Sequence, residues 1–151
     1  MGPLRKFLRQ SRADRRRLAA ATVLHVIVVS ALRALPFARV RQLLERIAAF
    51  GRGTRGDGEV AARLIWAVRS VSSVLPGATC LTEALAAGVL LRRAGCGATL
   101  CFGVSGLTPA DRPFDAHAWL ERRGVTILGA RGIAYDPLAS PTRCAPSLLL
   151  R

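Results

Sequence analysis

The sequence predicts an α+β fold: a helical N-terminal region, then a core in which a buried, cysteine-bearing helix packs on a small antiparallel sheet. Three observations carry this expectation. As far as Gly95 the apolar residues recur every three or four positions, the period of a helix face. Beyond Gly95 they fall into short runs divided by glycine turns, which read as strands. From Gly51 to Gly58 the stretch "GRGTRGDG" has four glycines and no apolar residue, a loop that divides residues 1–50 from a core of residues 59–151.

In the first region Ser11 and Asp14 stand as caps at the head of the basic turn "RADRRR". The apolar run Leu18 to Leu35 continues that helix until Pro36 stops it. The run approaches the ~20 apolar residues that cross a bilayer. His25 near its middle and Arg33 one turn from its end favour a helix buried in the fold or covered by a partner, over one lying on a membrane or spanning it. His25 itself reads as a hydrogen-bonded core or partner-facing residue. An amphipathic helix follows from Phe37 to Phe50, with Val40, Leu43, Leu44 and Ile47 on one face.

After the glycine loop, Glu59 to Val71 reads as a helix whose apolar face is Ala62, Ile65, Trp66 and Val68. "SSVLPGATC" turns the chain into a helix from Cys80 to Ala94, closed by Gly95. Strands are expected from Ala98 to Val104, across "DAHAWLE" at residues 115–121, and across "VTILG" at residues 125–129. The last two form a hairpin through Arg122 to Gly124.

A length of 151 residues suits one domain, or one domain with a helical attachment. The 51% hydrophobic content marks a folded chain with an apolar excess, enough for a face hidden against a partner or membrane. A net charge of +14 comes from arginine, with Lys6 the only lysine, and favours anionic partners. The cluster Arg12, Arg15, Arg16 and Arg17 reads as a solvated face that an acidic peptide or lipid heads would suit. No nucleic-acid partner is expected, because zinc-finger spacing, aromatic-interleaved basic runs and Walker-type glycine loops are all missing. The cysteines, Cys80, Cys96, Cys101 and Cys144, form no CxxC pair, and no cleavable signal peptide precedes them, so reduced thiols in a cytoplasm are expected. Cys96 and Cys101 with His117 make a poor zinc set, and no metal is expected.

Cys80 falls at the first turn of its helix, where the macrodipole favours a thiolate, the nucleophilic form of cysteine. His117 is one of two histidines and lies on an expected strand. A strand histidine facing a helix-leading cysteine can take the thiol proton and return it to a leaving amine.

The wording around these two residues is more specific than the pair alone. "CLTEALAAGVLLRRAGCGATLCFGV", followed by "FDAHAWLE" and a glycine turn, resembles the lasso peptide leader peptidases, a bacterial family with a papain- or transglutaminase-like cysteine protease core. The resemblance covers Cys80 to Gly124, and the arginine-rich helical N-terminus with "LPF" at Leu35 to Phe37 is also similar. It implies Cys80 as nucleophile and His117 as general base. The family often has an Asp twelve positions after the histidine, where this chain has Gly129. A hairpin turning near Arg123 would set residue 129 across from His117. Asp136 can substitute if "GARG" bulges or loops back toward the site; otherwise a dyad assisted by a backbone carbonyl or a water operates. Glu121, four residues along the same strand, stands about 13 Å from His117 and is too far. Asp115 is expected to be a substrate or surface contact.

The resemblance further implies cytoplasmic removal of the leader from a ribosomally made lasso peptide precursor, without a cofactor. Its partners would be the precursor, a separate leader-recognition protein docking on the helical N-terminus, and a lasso cyclase. Peripheral contact with the inner face of the membrane stays open. Two other readings remain: a non-catalytic basic helical module docking on a membrane or acidic partner, and a transglutaminase-like enzyme that transfers the acyl group instead of hydrolysing it.

Overall fold

A computed structural model of the chain describes residues 10–50, 56–104, 116–130 and 136–137. Among the described residues four helices precede a small antiparallel sheet, as the periodicity predicts. Helix α1 spans Arg12–Ala34 and opens on Ser11, whose side chain accepts the Asp14 N–H. The Asp14 carboxylate in turn meets Arg17 at 2.7 Å, and hydrogen bonds from Ser11 and Arg17 hold it below the usual carboxylate range. By length and composition α1 could cross a membrane. In the fold, Ala21, Leu24, His25, Val28 and Ala31 form its buried face, while Val23 and Val26 are exposed. Helix α2, Phe37–Ala49, starts after Pro36 and buries Val40, Leu44 and Ala48. The expected loop at residues 51–55 lies outside the described residues.

Helix α3, Gly58–Ser72, is capped by Asp57, whose carboxylate accepts the Val60 N–H. Its buried face is Ala61, Leu64, Ala67, Val68 and Val71, not the expected Ala62, Ile65 and Trp66. The sequence "VAARLIWAVRSV" carries two apolar stripes, each with helical spacing, and only packing against α1 and the next helix selects between them. That next helix, α4, runs Cys80–Arg93 and is the centre of the molecule, in contact with α1, α2, α3 and the sheet. Nine residues of its middle and front are buried. Its C-terminus closes with Cys96 N–H donating to Leu91 O and Gly95 N–H to Arg92 O, the paired bonds of a Schellman end around Gly95 at φ 72°.

Strands β1, Thr99–Val104, β2, Ala116–Arg122, and β3, Val125–Leu128, are joined by a two-residue stretch β4, Asp136–Pro137, in the order β3-β2-β1-β4. The β2–β3 hairpin turns on Arg123 and Gly124, both at positive φ, the geometry of the two-residue turn that matches sheet twist. The expected β2–β3 pairing is displaced: a bulge between Leu120 and Glu121 sets Leu120 opposite Leu128. Buried residues from α1, α2, α3, α4 and the sheet join in one hydrophobic cluster.

Candidate active site

The nucleophile candidate is placed by local chemistry at the head of α4. Thr79 is the N-cap, accepting the Thr82 N–H, while the Thr82 side chain accepts the Thr79 N–H at 2.8 Å. This reciprocal capping box fixes where the helix begins, and therefore where Cys80, its first residue, stands. Behind it the buried His25 ring approaches the Thr82 hydroxyl at 3.4 Å, which bears out its reading as a hydrogen-bonded core residue. Cys80 is half-buried, whereas Cys96 and Cys101 are buried. Cys144 lies outside the described residues.

His117 is 4% exposed on β2, opposite Gly103 of β1. Its ring stacks near the Trp119 ring, 6.2 Å between centroids and 16° between planes. Its Nε2 lies 2.6 Å from the carbonyl oxygen of Gly129. A carbonyl only accepts, so Nε2 carries the hydrogen, and in the neutral ring Nδ1 holds the basic lone pair. The backbone thus fixes the tautomer.

Gly129 meets this role in a way the expected pairing does not describe. The bulge brings it against Trp119 rather than directly across from His117, and only its carbonyl reaches the ring. Its φ is +83°, and a Cβ there would stand 3.0 Å from Trp119 Cβ and 3.1 Å from Ala118 O. Any side chain, Asp included, is strained and crowded at this position.

By backbone register Asp136 is separated from His117 by strand β1. Strand β1 lies between β2 and β4, and residue 136 pairs with Val104, in the row of Ala116. His117 belongs to the next row, with Gly103 and Pro137. Glu121 is occupied by Trp119, whose Nε1 donates to its carboxylate at 2.8 Å. Asp115 lies outside the described residues.

Cys80 and His117 line one open cavity of about 510 Å³, walled by the end of α3, the head of α4 and the β3–Gly129 segment. Glu83 lines it too, a residue the sequence reading passed over. It stands three positions after Cys80, one helical turn along the same face, and that spacing was the available signal. Burial pushes its carboxyl up, against the opposing influence of Arg69, His117 and a hydrogen bond from Ser72. The site therefore contains a thiol at a helix head, an oriented imidazole and a carboxylate within one cavity. That set suits acyl transfer through a thioester.

Residues 22–140 match the family model described as the transglutaminase-like superfamily. The chain belongs to that superfamily. No curated protein and no solved structure matches it. The transglutaminase-like superfamily is made up mostly of cysteine-dependent enzymes and includes both peptidases and acyltransferases. Among the described residues the domain is α+β, with four helices and a small antiparallel sheet and Cys80 on the fourth of those helices.

Proposed function

We propose that this transglutaminase-like protein is a cysteine peptidase that removes the leader from a ribosomally made lasso peptide precursor, with a separate protein presenting the leader. The observation that carries the chemistry is the shared cavity of Cys80 and His117, with the imidazole oriented through Nε2. The wording from Cys80 to Gly124 supports the substrate class.

In this mechanism His117 Nδ1 takes the Cys80 thiol proton, and the sulfur attacks the scissile carbonyl carbon. The N–H groups at the head of α4 favour the negative charge that develops on the carbonyl oxygen. The tetrahedral species collapses by breaking the C–N bond, and the imidazolium gives its proton to the departing amine of the core peptide. A water then loses a proton to His117 and attacks the thioester. Collapse breaks the C–S bond, releases the leader as a carboxylic acid and restores the thiol. Cys80 and His117 are the residues assigned to catalysis, with the Gly129 carbonyl orienting the imidazole, and no cofactor takes part.

Mass spectrometry of a precursor incubated with its recognition protein and this chain tests the reading. Two fragments whose masses sum to precursor plus water are expected with the native protein and not with Cys80→Ala. His117→Ala is expected to slow processing ~10²–10⁴-fold, as for loss of a general base, and Asp136→Asn to slow it less. Equal processing by Cys80→Ala contradicts the peptidase. A product whose mass includes an added amine instead of water favours acyl transfer.

A further inference from the structure

Two cavities on this molecule adjoin at shared lining residues. The one that holds Cys80 and His117 shares Arg69 and Ile127 with a second, of about 630 Å³, that runs on between α3 and β3. The second is walled by Ile65 and Trp66 of α3, by Ile127, and by the guanidinium-bearing Arg69 and Arg122. Trp66 belongs to the apolar stripe of α3 that the core leaves uncovered and is 37% exposed, while Ile65 beside it is half-buried at the edge of the core. A large aromatic held open beside two arginines is the composition of a recognition surface, because it supplies apolar area and charge within the same few ångströms.

We infer that this groove is a subsite for the peptide substrate, accepting an acidic stretch with an apolar side chain at its centre. The inference rests on the peptidase reading above. Arg69 and Arg122 face carboxylates of the peptide, and Trp66 with Ile65 and Ile127 receives the apolar side chain. Among the described residues β3 is the last strand of the sheet, so its outer backbone groups are offered to an extended chain. Trp66 precedes Ser72, which borders the Cys80 cavity, by six helical residues, or about 9 Å at 1.5 Å per residue. An extended peptide advances ~3.3 Å per residue, so the apolar side chain sits about three positions from the scissile bond. The charge is complementary locally as well as globally, since the groove carries two arginines and none of the acidic residues that line the Cys80 cavity.

The two tryptophans of the chain provide the readout, because the indole N–H of Trp66 reports the groove and that of Trp119 the His117 side. Full-length Cys80→Ala protein, labelled with ¹⁵N, is titrated with N-acetyl-Glu-Leu-Glu-Leu-Glu-amide and with the same peptide carrying Lys for each Glu; Trp66→Phe assigns the signals. The Trp66 signal is expected to move to saturation with the acidic peptide and about tenfold more weakly with the basic one, the effect of a few partly exposed ion pairs. Arg122→Glu is expected to abolish the preference, and Arg16→Glu, which makes the same charge change at an exposed residue of α1 outside the groove lining, to preserve it. A Trp66 signal that stays still, that moves alike with both peptides, or that weakens as much in Arg16→Glu as in Arg122→Glu overturns the subsite. The same spectra show whether each variant is folded. A matched precursor left intact by the native protein overturns the peptidase, whereas a precursor cleaved as fast by Arg122→Glu as by native protein overturns the subsite alone.

Discussion

At His117 the ring is oriented by a main-chain carbonyl, and in the proposed mechanism this makes the backbone of one glycine responsible for holding the base. Gly129 can present its carbonyl at 2.6 Å because it adopts φ +83° with nothing beyond its Cα pressing on Trp119. Gly129→Ala forces a Cβ into that contact and into an unfavourable backbone region, a cost of about 1–3 kcal/mol. The expected outcome is a lowered melting temperature together with a loss of processing rate larger than the loss of peptide affinity, since the imidazole loses its fixed tautomer. Denaturation curves and separate determination of kcat and KM check this. A Gly129→Ala protein that keeps native stability and rate would show that neither the conformation nor the carbonyl matters. The absence of the family's Asp at this position is thus legible in the sequence. Its replacement by the same residue's carbonyl was one of the alternatives the sequence left open, and the bulge at Leu120 that aims it depends on packing no local pattern records.

Helix α4 carries the proposed nucleophile, and both of its ends are closed by bonds from neighbouring residues: the Thr79–Thr82 capping box in front and the Gly95 turn behind. Gly95 and the cysteine-led start were readable from local residue types, because caps are local chemistry. The threonine cap is expected to matter twice. Thr79→Ala removes the acceptor for the Thr82 N–H and destabilises the protein by about 1 kcal/mol, and it also loosens the first turn, where Cys80 stands. Thr79→Ser retains the hydroxyl and is expected to retain stability and rate, as thermal denaturation and precursor processing of the two variants would reveal. Helix α3 was harder to read. Its two apolar stripes are equivalent by spacing, and only the approach of α1 and α4 decides that Leu64 and Val68 go inward while Ile65 and Trp66 line a groove. Glu83 was overlooked for a related reason, since its place in the cavity depends on the end of α3 packing beside it.

Over the whole molecule, the helical N-terminus and the catalytic core are tied through a buried histidine. His25 of α1 is fully buried beside Thr82 of α4, and burial holds its ring below the ordinary histidine value of 6.5. A histidine with a depressed folded pKa binds protons more readily when the chain unfolds, so its contribution to stability is complete above about pH 6.5 and is lost as pH falls through the depressed value. Melting temperature is therefore expected to fall from pH 7.5 to 5.5, and His25→Gln, which cannot titrate, to show a flatter profile; an unchanged slope would dissociate His25 from the acid response. The order of helices and strands, and the pairing of a helix-leading Cys with a strand His, were visible in periodicity and turn residues. The contact between α1 and the head of α4 was not, because it joins residues 57 positions apart.

The central claim is that Cys80 is an activated thiol and His117 its base, and thiol alkylation followed by peptide mass mapping tests it without any substrate. With limiting iodoacetamide at pH 7, Cys80 is expected to be modified well ahead of the buried Cys96 and Cys101, and at least about tenfold more slowly in folded His117→Ala, where the base that takes the thiol proton is gone. Modification of Cys80 at the same rate with and without the His117 imidazole would contradict the account.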